Sequence, residues 1–151
     1  MPIASIEEIQ AKIGSEVGLS DWILIDQQRI DAFADVTEDH QFIHIDPAAA
    51  AATPFGGTVA HGFLTLSLLS RMAGDVMLRP AEMKMGVNYG LEKVRFLAPV
   101  PSGKRVRGRF RLIRFEERRP GQWQFVHEVT VEIEGEDKPA LIAEWIGMIF
   151  I

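Results

Sequence analysis

The sequence predicts an α+β domain in which an antiparallel sheet covers one long buried helix. Three observations carry that prediction. From Gly62 the chain runs Phe-Leu-Thr-Leu-Ser-Leu-Leu-Ser-Arg-Met, apolar nearly all round, which is the composition of a helix enclosed by the rest of a fold. After Pro80 the pattern changes to four consecutive strand-like segments punctuated by Pro and Gly turns. No repeat, linker or low-complexity stretch interrupts the 151 residues, so residues 1–151 are read as a single domain with one core.

The elements follow in order. Ser5-Ile6-Glu7-Glu8 is a capping-box pattern that starts a short helix, and Gly14 ends it. Asp21 to Ile25 reads as a strand. Asp26 caps a second helix through about Asp35, with Ile30, Phe33 and Ala34 on one face. Thr37-Glu38-Asp39 breaks it, because these side chains compete for backbone hydrogen bonds. Pro47 to Ala52 is an alanine-rich turn of helix with Pro at a favourable early position. Thr53 to Gly57 is a loop, and the buried helix runs from Gly62 to Met72. The strands are Val87–Leu97, Lys104–Phe115, Trp123–Glu134 and Ala140–Ile151, with turns at Pro101-Ser102-Gly103 and Pro120-Gly121.

Composition removes several functional classes. A net charge of -5 argues against a nucleic-acid binder. With no cysteine, thiolate metal sites, disulfides and a cysteine nucleophile are excluded. No basic segment followed by an apolar one opens the chain, and the longest apolar run is too short to span a bilayer. A cytoplasmic location without membrane association is the expectation. His40, His44, His61 and His127 lack zinc-type spacing, so no metal is expected. No G-x-G-x-x-G opens a helix after a strand, which disfavours a dehydrogenase.

The chemistry concentrates in two stretches. Asp39-His40-Gln41-Phe42-Ile43-His44-Ile45-Asp46 sets a carboxylate and an imidazole five residues apart, and Ala60-His61-Gly62-Phe63 opens the apolar helix. Adding water to a double bond conjugated to a thioester needs a base for the attacking water, an acid for C2 and donors for the oxygen that gains charge. Carboxylates titrate near about 3.9 and imidazoles near about 6.5, which suits Asp39 and His44 to a shared catalytic water and syn addition. The Gly62 N–H, at a helix start, suits the third task, and one such donor is worth about 3 kcal/mol. On spacing alone, Asp39 as a turn residue and His44 as a satisfied loop residue remain open.

These residues resemble the MaoC-like family of (R)-specific enoyl-CoA hydratases. Asp39, His44 and Asp46 match that family's hydratase motif, as does Ala60-His61-Gly62-Phe63-Leu64. Asp39 to His44, Asn88-Tyr89-Gly90-Leu91 and Lys93-Val94-Arg95-Phe96 look more specifically like its nodulation-N-like branch. The resemblance covers roughly residues 15 to 150. It implies a hot-dog fold, in which an antiparallel sheet wraps a central helix, and a homodimer joined sheet edge to sheet edge. It implies Asp39 and His44 as the catalytic, water-activating pair, with the Gly62 amide as oxyanion donor. The expected substrate is an acyl-CoA or acyl-carrier-protein thioester, with no cofactor. Gln41 and Phe42 depart from the family's Asn and Pro, which removes a fixed φ from the turn.

Gly62, His61, Ser70 and Asn88 are the expected substrate-binding residues. Ser70 occupies the place of a helix serine that supports the dyad in some members; a serine bonded to its i−4 carbonyl is the other reading. His61 orients the loop, contacts substrate or bonds at the start of the helix, and Asn88 bonds the active-site loop or serves as a turn residue. Arg105, Arg107, Arg109 and Arg111 share one strand face, either for coenzyme A phosphates or a carrier protein, or paired with Glu128, Glu132 and Glu134 on the next strand. His127 falls on an apolar face and is read as packed. Two further functions compete, a hot-dog thioesterase that directs water to the carbonyl carbon and a non-catalytic thioester-binding subunit. The intact Asp39/His44 pair favours a hydratase over both.

Overall fold

In the computed structural model, which describes residues 1–151, Ser5 caps α1 (Ile6–Gln10) with the reciprocal bonds that its pattern predicts. Two short strands follow, β1 (Glu16–Leu19) and β2 (Ile23–Ile25). β1 was not legible as a strand, being four residues long and broken by Gly18 at φ +154. A Cβ on Gly18 would lie 3.1 Å from Val76, so glycine lets this strand approach the central helix. Asp26 caps α2 (Gln27–Thr37) by accepting from the Arg29 N–H at 2.9 Å. α2 runs two residues past the expected end, to Thr37, and its C-cap Glu38, with a left-handed backbone (φ 60), turns the chain.

α3 (Phe42–Ile45) and α4 (Pro47–Ala51) are single turns, the second capped by Asp46 accepting from Ala49 N–H at 3.0 Å. The expected buried helix is present as α5 (Gly62–Ser67) and α6 (Leu69–Val76), stepped at Leu68. It is not buried all round. Leu64, Leu69, Met72, Ala73 and Val76 face the core, whereas Phe63, Ser67, Ser70 and Arg71 are exposed. Ser67 Oγ donates to the Phe63 carbonyl at 2.7 Å, a bond that competes with the helix ladder one residue before the step.

The sheet comprises β3 (Met85–Phe96), β4 (Lys104–Arg119), β5 (Gln122–Ile133) and β6 (Leu141–Phe150) with β1, in the order β1-β4-β5-β6-β3; β2 also pairs with β4. Every pair is antiparallel. α6 packs on β4 and β1, with Met72 above Gly108 and Phe110 of β4. This is the α+β, hot-dog arrangement of a sheet around a central helix. No helix is long and apolar enough to cross a membrane. β3 forms one edge and exposes Met85, Val87, Tyr89, Leu91 and Phe96 along its length.

The arginine face is a salt-paired surface. Register places Arg107 opposite Glu132 and Arg111 opposite Glu128. Arg105 bonds Glu134 at 2.7 Å, Arg107 bonds Glu132 at 2.7 Å, and Arg109 bridges Glu132 and Glu16. These partly exposed pairs contribute little each, but they occupy the guanidiniums.

His127 is packed, as its strand face predicts. Its ring meets Phe110 and Phe125 edge-on at 6.2 and 5.2 Å, and its Nδ1 has no partner. Burial pushes its pKa down from 6.5 to about 4. Above pH 6.5 both native and unfolded chains hold it neutral. As pH falls from 6.5 toward 4 the unfolded chain takes a proton that the native chain refuses, so stability falls by roughly 3 kcal/mol and then levels. Urea unfolding across that window is expected to show this slope in the wild type and to lose that part of it in His127→Phe. An unchanged slope in the variant would assign the pH dependence elsewhere.

Candidate active site

The site forms where three short segments meet. The left-handed Glu38 ends α2 and releases Asp39 into a tight loop, where its carboxylate accepts weakly from Gln41 N–H at 3.4 Å. The Gln41 carbonyl then accepts from the His44 N–H at 2.9 Å, starting α3. α3 was not predicted, because one turn of helix leaves too few residues for a periodic signal. It matters because it turns the His44 ring inward, where only 7% of the residue stays exposed.

Two hydrogen bonds lock that turn to the segment before α5. His44 Nδ1 lies 2.7 Å from the Val59 carbonyl, and Val59 N–H donates to the Ile43 carbonyl at 3.0 Å. A carbonyl only accepts, so Nδ1 carries the hydrogen and the neutral ring keeps its lone pair on Nε2. Gln27, the first residue of α2, holds the turn from behind. Its Nε2 donates to the His44 carbonyl at 2.7 Å and its Oε1 accepts from Thr58 Oγ1 at 2.6 Å. The His44 pKa lies below 6.5. Burial is the main cause and His61 adds to it, while the Val59 bond and the Asp39 charge oppose them. The ring is therefore neutral at neutral pH and able to accept a proton.

Gly62 begins α5, and the preceding Ala60 N–H is fixed on the Val100 carbonyl at 2.8 Å. A Cβ at Gly62 would fall 2.9 Å from the Phe96 ring, so glycine is needed for this approach. His44 and Gly62 both line a cavity of ≈ 290 Å³, walled mainly by Phe55, Val59, Phe96 and Val100. The cavity thus offers one basic nitrogen and a helix start within an apolar wall, the usual make-up of a small-molecule site.

His61 is not among the cavity's lining residues. It is 3% exposed, its Nε2 lies 2.9 Å from the Asp39 main-chain carbonyl and 4.0 Å from its carboxylate, and its ring stacks on His44 at 3.7 Å. Asp39, His44 and His61 set ligating atoms within 4.8 Å of one another. A metal must lie near the plane of each imidazole that binds it, at about 2.0–2.1 Å. Two rings stacked at 3.7 Å with planes only 25° apart do not share such a point, so the cluster does not fit a metal.

Ser70 and Asn88 come together elsewhere. Asn88 Nδ2 donates to Ser70 Oγ at 3.4 Å, and both line a second cavity of ≈ 340 Å³ with Met77, Phe125, Trp145 and Ile149. Within one chain Ser70 makes no bond to the dyad, because it sits beyond the Leu68 step on the exposed helix face. Sequence reasoning also missed Gln27, Val59 and Phe96. A carbonyl has no sequence signal, a glutamine after a helix cap is unremarkable, and an apolar strand residue is ordinarily core.

Comparison with known proteins bears on this geometry. The family model described as MaoC like domain matches residues 8–135. The chain is 54% identical over 146 residues to Nodulation protein N of Rhizobium leguminosarum bv. viciae, covering 96% of this chain and 91% of that protein. It is 49% identical over 142 residues to 3-hydroxyacyl-thioester dehydratase Z of Mycobacterium tuberculosis (strain ATCC 25618 / H37Rv), covering 94% and 93%. Among solved structures, the (R)-hydratase from A. caviae involved in PHA biosynthesis superposes with a TM-score of 0.72 at 24% identity, covering 89% of this chain and 94% of that one, a likeness of fold.

The ring environment is directly measurable. In an NMR pH titration, His44 is expected to show a midpoint below 6.5, with Nδ1 the protonated nitrogen of the neutral ring. Asp39→Asn removes a charge that favours the imidazolium, so the midpoint should fall further. A rise in that variant would contradict the arrangement.

Proposed function

The chain belongs to the MaoC-like hydratase/dehydratase family, and on that premise we propose that it adds water to trans-2-enoyl thioesters with (R) stereochemistry, or removes it in reverse. The observation that carries this reading is His44, whose Nδ1 is spent on the Val59 carbonyl and which lines a mostly apolar cavity together with Gly62 at the start of α5 and Thr65. In the hydration direction, Asp39 accepts one O–H of a water and His44 Nε2 takes the proton of the other as the water oxygen bonds C3. The thioester oxygen gains charge and is held by the Gly62 N–H. The proton then returns to C2, so the elements of one water are added to one face. Proton transfer by a placed base contributes about 10²–10⁴-fold, and the oxyanion donor a comparable factor. The acyl group is carried on coenzyme A or a carrier protein, and no metal or organic cofactor takes part.

A second copy of the chain completes the reading. β3 is an unpaired edge of twelve residues that shows Met85, Val87, Tyr89, Leu91 and Phe96 to solvent, and such an edge invites pairing. A homodimer closed through β3 covers it. Asn88 lies on this strand and Ser70 beside it, both lining the second cavity, and we assign them to the acyl chain of a substrate bound between the copies. Gly62 and His61 serve the thioester end, Gly62 by contact and His61 from behind.

Hydration of crotonyl-CoA, followed by loss of the enoyl-thioester absorbance, tests the chemistry. Asp39→Asn and His44→Asn are each expected to lose about a hundredfold or more in kcat with folding intact. Wild-type rates in both folded variants would remove the mechanism. Chiral analysis of the 3-hydroxyacyl product is expected to give the (R) hand.

Sedimentation at micromolar concentration is expected to give a dimer for the wild type and a monomer for Val87→Lys/Leu91→Lys. A monomeric wild type would remove the assembly reading.

A further inference from the structure

The residue before Gly62 does not behave as its position leads one to expect. His61 is the N-cap of α5, yet its side chain bonds no N–H of that helix. It reaches back twenty-two residues instead, and Nε2 meets the Asp39 main-chain carbonyl at 2.9 Å. That acceptor requires the hydrogen on Nε2, which leaves Nδ1 as a lone pair, buried and without a partner. An unpartnered buried nitrogen is destabilising. The ring itself is sandwiched, with His44 stacked on it at 3.7 Å and 25° and Phe33 of α2 tilted against it at 5.1 Å.

We propose that His61 is a positioning residue that holds the dyad and the oxyanion donor in one frame. The claim rests on the hydratase reading above. Three connections make the frame. The Nε2–H bond fixes the main chain of Asp39, from which the carboxylate hangs. The ring face fixes the orientation of His44, whose Nδ1 is already tied to Val59. The peptide linking His61 to Gly62 carries the Gly62 N–H, so whatever holds His61 also holds the donor. Catalytic groups must be kept within fractions of an ångström of their working geometry, and a displacement of about 1 Å costs about a hundredfold in rate. That gain accounts for retaining a histidine where a serine or aspartate would cap the helix and leave no orphan nitrogen.

The stack also bears on charge. Two imidazolium rings stacked at 3.7 Å repel, so the His61 ring opposes protonation of its neighbour His44. The charged groups acting on His44 are His61 and, in the opposite sense, Asp39. The rest of the cavity lining has no titratable side chain, and Asp35 and His40 are paired with each other at 3.0 Å on the exposed side.

Two substitutions in the full chain separate the connections. His61→Gln keeps a donor for the Asp39 carbonyl and loses the ring; His61→Phe keeps the ring and loses the donor. Each is expected to fold, and to lose about tenfold to a hundredfold in kcat for crotonyl-CoA hydration with KM within about threefold of wild type. In His61→Gln the acidic limb of the kcat/KM profile, and the NMR titration of the His44 ring without substrate, should both move to higher pH, because the neighbour opposing the His44 proton is gone. A residue serving only stability would lower the unfolding midpoint and leave both titrations in place. Wild-type kcat together with an unmoved His44 titration in folded His61→Gln would overturn the proposal. The substrate-free titration reads the frame even if the wild type hydrates no enoyl thioester, an outcome that would count against the hydratase reading alone; an unmoved titration there would still overturn the role of His61.

Discussion

The hydrogen bond from His44 Nδ1 to the Val59 carbonyl, 2.7 Å long, is the interaction on which the site depends. α3 is one turn and cannot hold a side chain by its own helical stability, since short helices are marginal in water. The bond ties that turn to the segment leading into α5, and the return bond from Val59 N–H to Ile43 makes the tie bidentate. It also chooses the tautomer. With Nδ1 spent on a carbonyl, the ring can offer only Nε2 as an acceptor. Burial then holds the ring below its ordinary pKa, opposed by the Val59 bond and, more weakly, by the charge of Asp39. A base that is neutral near pH 7, and still able to hold a proton briefly, follows from these terms in opposition.

Around this bond the fold pairs the partly buried polar groups that hold the turn in place. Gln27 is fully engaged, donating to the His44 carbonyl and to Asp31 and accepting from Thr58. The Ala60 N–H is engaged by Val100, which sets the direction of α5 as it leaves the loop. The cavity wall between these points is mostly apolar. Charge that develops against that wall is less screened than on an open surface, so a single N–H at Gly62 has a larger effect there. The Arg–Glu ladder on the sheet contrasts with this. There the charges are numerous, partly exposed and mutually paired.

The long strands, the capped helices α1 and α2 and the central helix were legible because each repeats a local signal: alternation in β4 and β5, a capping residue at Ser5 and Asp26, an apolar run after Gly62. β1 and α3 were not, since four residues carry no period and both are held by tertiary bonds rather than by propensity. The helix was misread as buried all round because hydropathy cannot distinguish a face that packs within the chain from one left bare on it; Phe63 is apolar and 68% exposed. At the site, the residue types of Asp39, His44 and Gly62 were readable, but the Val59 carbonyl was not, because every residue has one. The stacking of His61 on His44 depends on the path of a loop that no local rule fixes.

The exposed edge and the site are connected through Phe96. It ends β3, packs edge-on with Phe63 at 5.8 Å, and covers Gly62 as part of the cavity wall. Half of this ring remains open to solvent in the single chain, so water reaches the wall that the donor depends on. A second copy seated along β3, as proposed, would remove that water and stiffen the ring against Gly62 in one step. The bulges in β3, after Asn88 and around Lys93 at φ 52, bend the strand just where it passes Ser70 and approaches Phe96. They re-aim its side chains between edge and cavity. The apolar edge is therefore not a separate cost of the fold. On the proposed reading, assembly and desolvation of the thioester end would act through the same strand, and a chain whose edge were made polar to keep it monomeric would leave Gly62 facing water.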